Sequence, residues 1–117
     1  MDKRTGGCHC KAVRYEVEID LAKPAIECNC SHCQIKGLLL SYVPWTKVTM
    51  LSGEENLTLY RFNTEKIDHY FCATCGVQPF GRAIGKEGEA GCMINVRTMD
   101  EVDLAAITRM PFDGRSM

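Results

Sequence analysis

The chain has 117 residues, 45% of them hydrophobic and 25% charged, with a formal net charge of −1. That balance is ordinary for a folded domain and excludes a disordered chain, and the length fits one domain over residues 1–117. No run of Lys or Arg builds a phosphate-binding face, so no nucleic acid partner is expected.

Residues 1–7 carry no apolar stretch behind Lys3 and Arg4, so they do not read as a signal peptide. Residues 12–19 alternate apolar and polar and predict a strand. Pro24 interrupts, and Ala25, Ile26 and Glu27 lead into a dense cysteine cluster. Residues 37–40 form the longest apolar run, far too short to span a bilayer. Residues 38–43 and 48–51 predict two further strands, and Ser52-Gly53 marks a turn. Residues 57–62 alternate again, and 68–71 lead into a second cysteine motif. Residues 77–83 and 91–96 complete the strands. Helical periodicity is weak and confined to 100–107, and the tail from 112 to 117 reads as loose. Many short strands with turn signals at steady spacing predict an antiparallel all-β domain. The expected location is cytoplasmic, with no membrane partner. There thiols stay reduced, and clustered cysteines are metal ligands rather than disulfides.

Eight cysteines stand at 8, 10, 28, 30, 33, 72, 75 and 92. They read C-x-C, then C-x-C-x-x-C, then C-x-x-C, then one alone. Zn–S bonds of about 2.3 Å in a tetrahedron put neighbouring sulfurs ~3.8 Å apart. Two cysteines one or two residues apart meet that distance across a tight turn, and the second pair comes from elsewhere in the chain. In Cys72-Ala73-Thr74-Cys75-Gly76 the glycine can take φ > 0 and curl the backbone so that N–H groups face sulfur. A disulfide within Cys8-His9-Cys10 would strain a very small ring, against a preferred Cα separation of roughly 4.4–6.8 Å. The remaining alternative to reactive chemistry is that both sites are purely structural.

Several motifs together resemble a known family. They are Gly6-Gly7-Cys8-His9-Cys10 before Val13-Arg14-Tyr15-Glu16, Cys28-Asn29-Cys30-Ser31-His32-Cys33-Gln34, Tyr60-Arg61-Phe62, and His69-Tyr70-Phe71-Cys72-Ala73-Thr74-Cys75-Gly76. The endings Ile94-Asn95-Val96-Arg97 and Phe112-Asp113-Gly114-Arg115-Ser116 are similar too. The chain is thereby identified as similar to the glutathione-dependent formaldehyde-activating enzyme family, which includes centromere protein V. The resemblance implies a β-tent of packed antiparallel sheets with two zinc ions. It implies that Cys8, Cys10, Cys72 and Cys75 form a closed structural site, and that Cys28, Cys30 and Cys33 form a second site with an open fourth position. Three protein ligands and one exchangeable ligand suit a reactive zinc. The activity it implies is that of a carbon–sulfur lyase acting on a thiol–aldehyde adduct such as S-hydroxymethylglutathione, with a small thiol as partner. The other function class is a non-catalytic zinc module for protein interaction.

Other residues carry paired readings. His32 can be a donor or proton shuttle beside a metal ligand, although a turn residue usually points to solvent. His9 lies inside a knuckle, and His69 on a strand reads as satisfied or exposed. Lys36 and Arg82 can bind carboxylates or simply be solvated. Asn29, Ser31 and Gln34 can hydrogen-bond a sulfur or serve the turn. Trp45 and Phe80 can line a pocket, though core packing is the usual fate of such rings. Cys92 reads as a small buried hydrophobe, with a fourth zinc ligand or a nucleophile as alternatives. The nucleophile would follow the B-type methionine sulfoxide reductases, whose two C-x-x-C knuckles do not match the C-x-C here.

Overall fold

The computed structural model describes residues 2–62, 67–85 and 87–116. The strands in chain order are β1 (Asp2–Gly7), β2 (Arg14–Ile19), β3 (Ala25–Cys28), β4 (Leu40–Pro44), β5 (Val48–Ser52), β6 (Leu57–Tyr60), β7 (Ile67–Cys72), β8 (Phe80–Ile84), β9 (Ala90–Asn95) and β10 (Arg109–Phe112). One short helix, α1 (Ser31–Lys36), lies between β3 and β4. A three-stranded sheet runs β1-β2-β5, and a seven-stranded sheet runs β10-β3-β4-β9-β8-β7-β6. The expected all-β class is what the chain adopts.

The core fills the space between the sheets. On β2 the alternation of Tyr15, Val17 and Ile19 with Arg14, Glu16 and Glu18 sends the first three inward, where they are buried. They meet Val43, Phe80, Cys92 and Ile94 from the large sheet. Each such apolar side chain contributes about 1.5–3 kcal/mol on burial. Tyr15 meets Phe80 edge-on at 6.3 Å and keeps its hydroxyl within 2.9 Å of Thr98 Oγ1. Its polar end is therefore satisfied inside the core.

Three features depart from the sequence reading. The cluster segment read as a turn is helical over Ser31–Lys36, whereas 100–107 holds only a 3-10 turn at Leu104–Ala106. The helix starts because Cys30 acts as its N-cap, its sulfur accepting from the Cys33 N–H, a role usually taken by Ser, Thr, Asp or Asn. It stops at Gly37, whose φ of 68° supplies the left-handed cap. The tail is not loose: β10 pairs with β3 in parallel, so the sheet is not purely antiparallel. Pro111 is tolerated there because β10 is an edge strand. β1 was also absent from the reading, since only Gly6 and Gly7 at its end are buried.

Candidate metal centres

The first centre is built by two hairpins. Gly7 ends β1, and Cys8 and Cys10 occupy the turn to β2; Cys72 ends β7, and Cys75 follows in the loop to β8. The four sulfurs all lie within 4.8 Å of one another. Cys10 Sγ is 3.6 Å from both Cys8 Sγ and Cys72 Sγ, close to the edge of a zinc–sulfur tetrahedron. Gly76 takes φ 82° and donates its N–H to Cys72 O at 2.8 Å, closing the knuckle.

N–H groups converge on these sulfurs. Val13 N donates to Cys8 Sγ at 3.3 Å, and Thr74 N and Cys75 N donate to Cys72 Sγ at 3.4 and 3.5 Å. Asn56 Nδ2 adds a fourth donor, to Cys72 Sγ at 3.4 Å. Burial pushes the Cys72 thiol up, but the Cys75 and Thr74 N–H groups and the neighbouring thiols outweigh it and bring it down to about 6. For Cys10 the Ala12 backbone N–H favours the thiolate, yet burial and the neighbours Cys8, Cys72 and Cys75 prevail and push it up to about 11. Four sulfurs this close cannot all carry charge without a cation among them. A donor set of this kind fits a dication bound by thiolates.

The second centre is local. β3 delivers Cys28, Cys30 caps α1, and Cys33 sits in its first turn. Their sulfurs also lie within 4.8 Å of one another. Cys30 N donates to Cys28 Sγ at 3.4 Å and Cys33 N to Cys30 Sγ at 3.3 Å. Burial opposes ionisation of Cys30, but the Cys33 N–H and the thiols of Cys33 and Cys28 hold its thiol below the ordinary range. Burial raises the Cys33 thiol, and its two neighbours add to the rise. Among the described residues no fourth Cys, His, Asp or Glu joins this set. Cys92 is fully buried among Tyr15, Val43 and Ile94, outside both sets, and burial pushes its thiol up to about 12.

A turn from the end of the chain lies against the second centre. A Cβ on Gly114 would come within 2.5 Å of Cys28 Sγ and 3.3 Å of Cys30 Cβ. The turn is fixed by Asn29, the residue between two of the cysteines. Asn29 N donates to Phe112 O at 3.1 Å, Asn29 Nδ2 donates to Asp113 Oδ1 at 3.0 Å, and Arg115 N donates to Asn29 Oδ1 at 2.9 Å. Arg115 also reaches Gln34 Oε1 on α1. Asn29 and Gln34 therefore serve the turn, and among the described residues neither donates a hydrogen bond to a sulfur. The family resemblance marked the Phe112-Asp113-Gly114-Arg115-Ser116 segment, but nothing in the sequence placed Gly114 against Cys28, which lies more than eighty positions away.

Two of the three histidines differ from their sequence readings. His32 does not point to solvent: it is buried on α1, stacked on Tyr60 and Phe62, with its ring centroid 4.0 Å from that of His69. Burial lowers its pKa to about 4, with small additions from His69 and Lys36. His69 is buried as well, but neither of its default states holds, because its Nδ1 has no hydrogen-bond partner among the described residues. His9 is exposed in its knuckle. Trp45 and Phe80 pack on each other at 5.4 Å in the core, and the Arg82 guanidinium lies 4.3 Å over Trp45. Ser31 and Lys36 face a cavity on the α1 side of the large sheet.

Residues 3–111 match the family model described as glutathione-dependent formaldehyde-activating enzyme. The chain is also similar to the crystal structure of a Rhodobacter sphaeroides protein, with 31% identity and a TM-score of 0.79 over 92% of this chain and 97% of that one. The matched segment contains all seven clustered cysteines.

Proposed function

Since the match spans nearly its whole length, the chain belongs to the glutathione-dependent formaldehyde-activating enzyme family, and on that premise we propose that it is a zinc-dependent carbon–sulfur lyase. Its substrate on this reading is a thiol–aldehyde adduct, with S-hydroxymethylglutathione, formed from glutathione and formaldehyde, as the type case. One observation carries the reading: three cysteine sulfurs converge with no fourth ligand among the described residues.

The proposal gives the two centres different work. Cys8, Cys10, Cys72 and Cys75 would hold one zinc with four thiolates and so clamp the β1–β2 turn to the β7–β8 loop. Cys28, Cys30 and Cys33 would hold a second zinc, leaving one position for an incoming thiol. Zinc held there supplies a lowered thiol pKa and a fixed orientation for the nucleophile, because a free thiol with pKa near 8.5 is mostly protonated at neutral pH.

The chain's own groups prepare that site. The Cys33 N–H favours negative sulfur at Cys30, and the Cys30 N–H donates to Cys28 Sγ. The turn at Gly114 bounds one side of the cluster with backbone alone and leaves no Cβ in the way. In the forward reaction the thiol sulfur bonds to the aldehyde carbon, the carbonyl π pair moves to oxygen, and the proton lost by the thiol ends on that oxygen. The lyase direction breaks the same C–S bond and returns the proton to sulfur. Alignment of the two reactants removes much of the entropic barrier.

The test is X-ray absorption at the zinc edge of protein purified without chelator. Two zinc ions per chain should show a mean of about three and a half sulfurs each, rising toward four when glutathione is added. NMR exchange between formaldehyde and glutathione should then be faster with the protein, and slower again in Cys30→Ser. A mean of four sulfurs before any thiol is added would leave no open position and favour the non-catalytic interaction module. Binding of thiol without faster exchange would sink the substrate assignment alone.

A further inference from the structure

Beside α1 a cavity of about 460 Å³ is walled by His32, Ile35, Lys36, Tyr60, Phe62 and Phe71. That volume falls within the range of small-molecule sites, roughly 300–1,000 Å³. Ser31 and Gly76 complete the lining; no cysteine of either set belongs to it, but Ser31 and His32 lie between Cys30 and Cys33, so the cavity adjoins the three-cysteine centre.

The wall has three chemical characters. First, three of its rings are nearly parallel. His32 lies at 17° to Tyr60 and 24° to Phe62, and Tyr60 and Phe62 lie at 21° to each other, with centroids 5.1–5.9 Å apart. Parallel ring faces favour a flat π guest over a rounded aliphatic one. Second, the Lys36 ammonium stands 5.1 Å over the Phe71 ring and donates to Gln78 Oε1 at 2.9 Å. Among the described residues no carboxylate pairs with it. An ammonium held at an aromatic wall by a neutral amide is complementary to an anion. Third, His32 is 7% exposed, and among the described residues neither ring nitrogen has a hydrogen-bond partner. His69, with its ring centroid 4.0 Å from that of His32, is also 7% exposed, and its Nδ1 has no partner among the described residues. Leaving such a group unsatisfied is unfavourable, and a polar substituent carried by a guest can supply the missing partner.

We infer that this cavity binds a small flat aromatic carboxylate bearing a ring hydroxyl. The ring stacks on the Tyr60–Phe62–His32 face, the carboxylate meets the Lys36 ammonium, and the hydroxyl supplies a partner for the His32–His69 pair after a small ring rotation.

The probe is 4-hydroxybenzoate, titrated into the zinc-loaded protein and followed by saturation-transfer and protein-observed NMR. Resonances of α1 and β6 should shift. Cyclohexanecarboxylate, with the same charge and no π face, should bind about fivefold more weakly, the scale of one ring-stacking contact. Lys36→Met should weaken 4-hydroxybenzoate by about fivefold, and Phe71→Leu should also weaken it. Lys47→Met removes a lysine paired with Glu18, outside the cavity wall, and should leave binding unchanged. No binding at millimolar probe would overturn the inference. So would equal affinity for the cyclohexane analogue, or undiminished binding in both Lys36→Met and Phe71→Leu. The zinc-edge sulfur count is measured independently, so failure here leaves the lyase reading standing, and failure there leaves this one.

Discussion

Replacing Gly114 by alanine would place a methyl 2.5 Å from Cys28 Sγ. Optimal contact between heavy atoms lies at about 3.5–4.0 Å, so the turn or the thiol must move by about 1 Å or more. Gly114 does not lie in the left-handed region, so alanine brings no backbone strain and the effect is steric. Overpacking of this kind costs about 1–3 kcal/mol. The turn is held by three hydrogen bonds to Asn29, worth about 0.5–1.5 kcal/mol each. It cannot lift freely, and the strain is shared between turn and thiol. If one to two kcal/mol fall on Cys28, zinc at the three-cysteine centre weakens by about five- to thirtyfold. Competition with a chelator should resolve two equivalents, the tight one unchanged and the second weakened. Ser116→Ala, which loses only the bond to Asp113, should stay within about twofold of wild type. Unchanged affinity of the second equivalent in Gly114→Ala would refute the reasoning, as would equal weakening of both.

Other substitutions separate the remaining roles. Cys75→Ser should unfold the protein or block its expression, because structural zinc is worth ~10–16 kcal/mol against a domain stability of ~5–15 kcal/mol. Cys30→Ser should stay folded with one zinc equivalent; equal thermal damage in the two variants would contradict the division into clamp and open site. Cys92→Ser buries a hydroxyl in the apolar core and should cost about 1–3 kcal/mol in urea unfolding while both zinc equivalents are retained. Asp100 accepts from Arg14 and Thr5, and these bonds hold its carboxyl below the usual range. Its contribution is therefore present above the unfolded pKa, near 3.9, and is lost as pH falls through the lower folded value. Asp100→Asn should cost at most about 1 kcal/mol at pH 7, since the pair is partly exposed. The gap from wild type should narrow below about pH 4; a gap that widens there would show the sign to be wrong.

The cysteine spacing made the metal chemistry legible in the sequence. Ligand pairs one or two residues apart are a local geometry, set by tight turns and by the size of a metal–sulfur tetrahedron. The strand alternation of β2 was legible for the same local reason, because a pleat sends every second side chain inward. Where position depends on distant partners, spacing alone was silent, and the grouping of Cys8 and Cys10 with Cys72 and Cys75 came only from the family resemblance. Cys10 and Cys72 are 62 residues apart, and only the meeting of two hairpins brings their sulfurs to 3.6 Å. Residues 109–112 are exposed throughout and contain a proline, so no burial pattern marks β10; it exists because β3 offers an edge. Its pairing is what carries Gly114 onto Cys28. His32 looks like a turn residue beside its cysteines, and it becomes buried because Tyr60, Phe62 and His69 converge on α1 from β6, its continuation and β7. Local chemistry fixed which atoms can hold a metal. Long-range strand pairing decided what surrounds them.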